Sequence, residues 1–262
     1  QKMSRRVPTR WINHETTMSR NHFLTAISAH LTLITVALTE DSKTFFQNLI
    51  FKRLPIDYHD AGIFDPISKL AVKIKSGDIK LRHDDNFGYL RSVLEAFDAI
   101  QIIDLVFSKT SLQLHRISPR NPRSLYFNDD VYIGFCQNGD VLELAATGPK
   151  QGATFYTLSQ QKAEQPEFIR DRGNCLTCHA TGRTQNVPGY LMRSVFPDMG
   201  GRPRYGRGTL LTDSTSDFEE RWGGWYVTGE HGDMRHMGNS TCDDDTSPFD
   251  RETGANCSAL DR

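Results

Sequence analysis

The chain has 262 residues, of which 37% are hydrophobic and 24% charged, and its formal net charge is -1. This length allows one large domain or two small ones with a buried core. A net charge so close to zero argues against a nucleic-acid binder, because such proteins concentrate basic residues against phosphates.

A signal-like leader is predicted at residues 1–39. Met18 is followed by Arg20 and by a mostly apolar stretch from Phe23 to Leu38. This stretch is too short and too often interrupted by polar residues to be a transmembrane segment, but its length is typical of a secretory signal. A buried amphipathic helix is the alternative interpretation. The leader predicts export to the periplasm or the cell exterior, with no transmembrane segment.

Residues 40–159 are predicted to be an α+β region whose N-terminal part, residues 40–110, is helical. In one helix Asp65 is the N-cap, Pro66 is the first residue and Gly77 follows the end. The segment YLRSVLEAFDAI repeats the helical spacing of apolar residues. The predicted core positions of the two helices are Ile67, Leu70, Ala71, Ile74, Leu90, Val93, Leu94 and Phe97.

A small antiparallel sheet is predicted after residue 111. The segment RISPRNPRSLYFNDD is typical of turns, and VYIGFCQNGDVLELAAT is typical of a hairpin with its turn at Asn138 and Gly139. Strands are expected at residues 131–135, at 141–145 and in ATFYTLS. Cys136, beside the turn, is expected to be an ordinary strand residue.

The segment NCLTCHA raises the question of a cofactor. Attaching haem covalently requires two thiols for the two vinyl groups of the porphyrin and an imidazole for the iron, and Cys175, Cys178 and His179 satisfy this pattern in full. The sequence from residue 160 is loop-rich, with few apolar stripes, as expected of a segment wrapped around a large apolar cofactor. We therefore predict one covalent haem c in a cytochrome c-like region, residues 160–262, packed as one unit with residues 40–159.

Two other kinds of site share the CxxC pattern. A structural zinc site requires four ligands, usually from two paired half-sites, and the remaining close cysteines, Cys242 and Cys257, do not form a second CxxC. A thioredoxin-like dithiol requires a βαβ unit, and PEFIRDRGN before the motif does not predict one. Both interpretations are therefore less favoured than haem attachment.

The sixth iron ligand decides between electron transfer and catalysis. The candidates lie in GEHGDMRHMGN. Met237 is the first choice, because its spacing from His179 is similar to that in small single-haem cytochromes, and His236 and His231 follow. Met192 and Met199 are nearer in sequence. If none of them ligates the iron, the open position would suit a peroxidase-like haem enzyme.

The predicted haem pocket uses aromatic and basic residues. Trp222, Trp225 and Tyr226 lie beside paired glycines, which permit close packing of flat rings against a porphyrin. Arginine pairs well with carboxylates. The arginines proposed for the carboxylates of the haem are Arg193, Arg202, Arg204 and Arg207.

Five segments together resemble a family of bacterial cytochrome c domain-containing proteins that is common in planctomycete-type genomes. They are VFSKTSLQ, ISPRNPRSLYFNDDVYIGF, RDRGNCLTCHATGRTQ, GYLMRSVFPD and EERWGGWYVTGEHGDMRHMGN. The resemblance covers roughly residues 45–239 and implies an exported haem protein that exchanges electrons with a redox partner protein of unspecified identity. It carries over Cys175 and Cys178 as attachment sites and His179 as the proximal ligand. The expected function is that of a single-haem c-type cytochrome.

Overall fold

The computed structural model describes residues 50–60, 62–97, 102–228 and 232–242. All of them belong to one structural unit, Ile50–Arg262. The predicted leader at residues 1–39 lies outside the described residues, as do His231 and Cys257.

Two helices precede the sheet, and both form where the sequence predicts them. Helix α1 spans Pro66–Ser76 and α2 spans Leu90–Ala96. The Asp65 carboxylate accepts the Ser68 amide at 2.8 Å, which satisfies one of the free N–H groups at the start of α1. Gly77 ends α1 with φ 85°, a backbone conformation that other residues rarely adopt.

A six-stranded antiparallel sheet follows, in which each strand pairs with the next one along the chain. The predicted hairpin is confirmed: Asn138, with φ 56°, lies in the turn between the third and fourth strands. The predicted strand ATFYTLS is the fifth. The strands are β1 (Ile102–Val106), β2 (Arg123–Phe127), β3 (Val131–Phe135), β4 (Val141–Gly148), β5 (Gly152–Ser159) and β6 (Phe168–Arg170).

Two of these strands lie where the sequence predicts other structure. The prediction that residues 40–110 are helical is wrong for β1, whose isoleucine and valine residues favour strands and pair along their whole length with β2. Strand β2 lies within the segment predicted to be turns, and it begins directly after Pro122. Tertiary pairing of β1 with β2 therefore decides the local structure in both places.

The two faces of the sheet have different partners. Helices α1 and α2 pack on one face, where they bury a core that includes Ile67, Val93, Ile133 and Leu144. Side chains alternate along each strand, so register places the remaining residues on the opposite face, which we call the outer face. The outer face comprises Arg123, Leu125, Tyr132, Gly134, Glu143, Ala145 and Phe155.

Two buried tyrosines, Tyr156 of this core and Tyr58, differ in their hydrogen bonding. The hydroxyl of Tyr156 donates to Asp65 at 2.5 Å, so the N-cap carboxylate of α1 also binds the sheet. The hydroxyl of Tyr58 is buried near the Phe155 backbone and the Arg170 side chain, but it makes no hydrogen bond of ordinary geometry to the described residues. The Arg170 guanidinium lies 4.5 Å from the centre of the Tyr58 ring.

Beyond β6 the chain consists mainly of loops. It contains one short helix, α3 (Leu176–His179), and an antiparallel pair formed by β7 (Arg193–Val195) and β8 (Thr209–Leu211). Short 3-10 turns occur at Ile50–Lys52, Gly182–Thr184, Tyr205–Arg207 and Phe218–Glu220. The α+β class with a small antiparallel sheet is thus confirmed. A cytochrome c-like helical segment is not seen in the described part of residues 160–242.

None of the helices in the described ranges combines the length and the hydrophobicity needed to cross a bilayer.

Candidate functional site

The CxxCH residues form a single helical turn, residues 175–179, which we call the attachment turn. The amides of Cys178 and His179 donate to the Cys175 carbonyl at 3.1 and 2.9 Å. At the start of the turn, the Asp171 carboxylate accepts the amides of Gly173 and Cys175, both at 3.0 Å. An anionic acceptor stabilises the free N–H groups of a helical N-terminus, so Asp171 holds the first cysteine in place.

The orientation of His179 is set by backbone groups. Its Nδ1 lies 2.9 Å from the Gly189 carbonyl oxygen, and the Gly189 amide donates back to the His179 carbonyl at 2.9 Å. A carbonyl can only accept, so Nδ1 carries the proton and the lone pair is on Nε2. Within the described part of the chain Nε2 forms no hydrogen bond. The imidazole therefore presents the nitrogen that a metal ion would bind.

Burial favours the neutral form of this imidazole. Loss of solvent lowers the pKa of His179, and the Gly189 hydrogen bond opposes this effect only in part. The ring packs against Phe155 of the outer face, with ring centres 4.7 Å apart. A neutral, fixed imidazole is the form that ligates metals.

The loop that carries Gly189 is fixed to the sheet. The Pro188 carbonyl accepts the Ala153 amide at 3.0 Å, and Tyr190 contacts Tyr132 with ring centres 4.5 Å apart. Gly152 at the start of β5 has φ 74°, and a Cβ there would lie 2.4 Å from the Pro188 oxygen. The turn between β4 and β5 therefore positions the carbonyl that orients His179.

The two thiols of the attachment turn lie in different environments. Cys178 is exposed and Cys175 is half-buried. Burial, together with the carboxylates of Asp171 and Glu143, raises the pKa of Cys175 to about 12. Redox dithiols instead use cysteines of lowered pKa, because the thiolate is the nucleophile. The environment of Cys175 therefore does not suit the nucleophilic cysteine of a redox dithiol.

A zinc site requires four protein ligands in close proximity. Within the described residues, no three His, Cys, Asp or Glu side chains converge in a way that could hold a metal ion. A haem iron does not require such a group, because the porphyrin supplies four of its donors.

An ion pair lies on the outer face beside the attachment turn. Arg123 Nη1 is 2.5 Å from Glu143 Oε2, and the two side chains are only 17% and 15% exposed. Both charges act on the His179 imidazole, and Glu143 also acts on the Cys175 thiol. This pair is therefore close to both Cys175 and His179.

The predicted pocket residues gather in a second place, around β7 and β8. The indole of Trp225 donates to the Arg193 carbonyl at 3.1 Å, and the Arg193 guanidinium donates to Thr209 at 3.1 Å. Trp222 packs against Phe218 with ring centres 5.0 Å apart. These contacts give Trp222, Trp225 and Arg193 structural roles within this part of the fold.

Tyr226 and Arg204, another of the predicted arginines, also make contacts within the fold. The hydroxyl of Tyr226 donates to the Pro119 carbonyl, and its ring lies 4.9 Å from that of Phe107. Arg204 pairs with Asp198 at 3.4 Å. Binding of haem by these side chains stays a prediction.

Two of the predicted iron ligands lie in this second place as well. Met237 is 2% exposed and packs with Phe196, Leu210 and Cys242. The Gly238 amide donates to Nδ1 of His236 at 3.1 Å, so a neutral His236 ring carries its proton on Nε2. The structure thus brings Cys175, Cys178 and His179 together in one turn, and His236 and Met237 together in another cluster.

Sequence patterns missed five residues of the site: Asp171, Gly189, Phe155, Arg123 and Glu143. The aspartate four residues before the first cysteine was the one local signal, since it resembles a helix cap. The others depend on strand register or on a contact across a loop.

A comparison of the chain with protein-family models, with curated proteins and with solved structures found no match.

Proposed function

We propose that this protein is a single-haem c-type cytochrome that carries electrons outside the cytoplasm. The observation that carries the proposal is the attachment turn, in which a complete CxxCH motif is combined with a histidine whose Nδ1 is bound by the Gly189 carbonyl. A bound haem iron supplies a one-electron change between the ferrous and ferric states.

The two cysteines would hold the porphyrin covalently. Cys175 and Cys178 would each form a carbon–sulfur bond to one vinyl group, and the thiol hydrogen would pass to the neighbouring carbon, so that no oxidant would be consumed. This addition starts from reduced thiols, and the raised pKa of Cys175 agrees with a protonated thiol. Asp171 fixes the backbone of Cys175 and so keeps the two sulfurs on one turn.

His179 would supply the proximal nitrogen, and its surroundings adjust its strength as a ligand. Donation of a hydrogen bond from the other ring nitrogen fixes the tautomer and makes the ligating nitrogen more basic. The Gly189 carbonyl provides this bond at 2.9 Å. Phe155 packs against the ring and limits its rotation.

Covalent attachment is tested with protein matured in cells that export it and attach haem. We expect haem-linked peroxidase staining to survive denaturing electrophoresis in the wild type and in Cys136→Ala, and to be lost in the Cys175→Ala/Cys178→Ala double variant. Cys136 is the matched control because it is a buried cysteine outside the motif. Absence of staining in the wild type would refute the proposal.

Sequencing the mature N-terminus tests export, which requires cleavage within residues 1–39.

The position of Met237 favours a second candidate function. Its side chain fills an apolar cluster with Phe196 and Leu210, and His236 has its Nδ1 lone pair occupied by Gly238. If neither binds the iron, the sixth position is open, and a peroxidase-like haem enzyme becomes the better description. The visible spectrum of the purified protein distinguishes the two, because a six-coordinate carrier is low-spin and an open site is high-spin.

A further inference from the structure

One cavity of the fold lies apart from the attachment turn. Its volume is about 340 Å³, and its walls come from the end of β1, the turn before β2 and the loops after residue 198. None of residues 175–179 contributes to its lining. This volume is at the lower end of the range for small-molecule pockets, so the cavity suits a ligand of about one or two rings.

The walls of this cavity are mainly apolar and include two aromatic rings. Phe107 and Tyr226 lie with their ring centres 4.9 Å apart at an angle of 47°, and Pro119 and Met199 extend the apolar surface. Aromatic rings pack against one another edge to face or with an offset, and both arrangements are available to a flat ligand here. The walls therefore favour a ligand with a flat apolar body.

Hydrogen bonds within the fold hold these walls in place. The Phe107 amide donates to the Gly224 carbonyl at 3.0 Å. Ser118 and Asn121 exchange two backbone hydrogen bonds, at 3.1 and 3.0 Å, which close the turn that carries Arg120. A cavity whose walls are already ordered loses little conformational entropy when a ligand binds. The site is therefore preformed.

The polar groups of the lining can donate hydrogen bonds. Arg120 is exposed at the cavity and forms no hydrogen bond or ion pair with the described residues. The Ser118 hydroxyl oxygen accepts the Asn121 amide at 3.1 Å, which leaves the hydroxyl hydrogen available. No aspartate or glutamate of the described ranges lines the cavity. A cation and a hydroxyl without a competing carboxylate suit an anionic group, and the guanidinium fork matches a carboxylate.

We propose that this cavity binds a small aromatic carboxylate. The ring of the ligand lies against Phe107, Met199 and Tyr226. Its carboxylate accepts hydrogen bonds from Arg120 and Ser118. This inference goes beyond the proposed function and does not depend on a bound haem.

The test titrates the purified full chain with cinnamate, by calorimetry and by NMR of isotope-labelled methionine methyl groups. We expect binding at a single site and a shift of the Met199 methyl resonance, which is identified by its loss in Met199→Leu. The Met234 resonance should stay unchanged, because Met234 is exposed but does not line the cavity. Cinnamyl alcohol lacks the charge and acetate lacks the ring, so each should bind at least about tenfold more weakly than cinnamate.

Replacing Arg120 tests the origin of the carboxylate preference. Arg120→Gln should weaken cinnamate binding by about three- to tenfold, a moderate loss because the guanidinium is exposed to solvent. Arg116→Gln is the matched control, because Arg116 lies in the same segment but pairs with Asp140 at 3.0 Å and does not line the cavity. It should leave the affinity for cinnamate unchanged.

Three results would overturn the inference. Equal affinities for cinnamate and cinnamyl alcohol, or an unchanged affinity in Arg120→Gln, would show that no carboxylate is recognised. An unshifted Met199 resonance would show that the cavity is not the binding site, and a haem that fills the cavity would give this result. Staining for covalent haem reports on the proposed function separately. Because Arg120 is exposed, its replacement should not impair folding.

Discussion

Replacing Met237 with alanine distinguishes two roles of its side chain, which are ligation of the haem iron and packing in a buried apolar cluster. The sequence predicts an axial thioether, and the structure packs the side chain, 2% exposed, against Phe196, Leu210 and Cys242. Truncating a buried methionine costs about 2–5 kcal/mol, depending on how far the site can collapse. Leu210 is only partly buried, so the cluster can close in part, and we expect a loss of about 2–3 kcal/mol.

Urea unfolding of the haem-loaded protein measures this loss as a lower midpoint at an unchanged slope. For a chain of this size, the thermal midpoint should fall by about 4–12 °C. Met234→Ala is the control, because the Met234 side chain lies in the same segment but is 49% exposed. It should change the free energy of unfolding by no more than about 0.5 kcal/mol.

A loss below about 1 kcal/mol in Met237→Ala would refute the packing argument. The spectrum of the same variant tests the axial role. If Met237 ligates the iron, the methionine-to-ferric-iron charge-transfer band disappears, and the potential falls because a thioether favours the ferrous state. Survival of this band in Met237→Ala would show that the axial prediction is wrong.

Two other pairs of variants test the surroundings of the site. Gly152→Ala should cost more than Gly77→Ala and should also alter the haem spectrum. Both residues have positive φ, but only the Gly152 Cβ would meet the Pro188 oxygen. Equal losses of unfolding free energy in Gly152→Ala and Gly77→Ala would contradict this prediction. Tyr58→Phe should cost less than about 1 kcal/mol at pH 7, because its hydroxyl makes no hydrogen bond of ordinary geometry to the described residues, whereas Tyr156→Phe should cost about 1.5–3 kcal/mol for a lost carboxylate hydrogen bond. Burial raises the pKa of Tyr58 to about 12, above its unfolded value, so wild-type stability should fall as pH rises from about 10 to 12. Tyr58→Phe should reduce this alkaline slope in pH-dependent unfolding, and an unchanged slope would count against the burial argument.

Local signals predicted much of the fold. The Asp65 cap, the Gly77 stop and the Asn138 turn each depend on residues close in sequence, and the structure contains all three. The helical turn of the CxxCH motif is local in the same sense. Strands β1 and β2 were missed because their pairing with each other, not their own sequence, decides their structure.

The contacts around the attachment turn could not be predicted from local sequence patterns. The contact of His179 with Gly189 closes a loop of ten residues, and no periodicity marks which carbonyl will face the imidazole. The approach of Arg123 to Glu143 crosses Gly134 of the intervening strand and depends on the register of three strands. A sequence pattern can indicate which chemical groups a turn contains, but the register of the strands decides which side chains lie beside that turn.

Under the proposed function, the double hydrogen bond between His179 and Gly189 would affect the speed of electron exchange. The imidazole is tied to backbone groups, and the neighbouring Pro188 carbonyl is tied to β5 through Ala153. When the charge on a metal changes, ligands held by flexible side chains must settle into new positions, whereas dipoles fixed by the fold need little reorganisation. If His179 ligates a haem iron as proposed, a histidine anchored in this way would keep nearly the same geometry in both oxidation states, and the nuclear rearrangement that accompanies each transferred electron would be small.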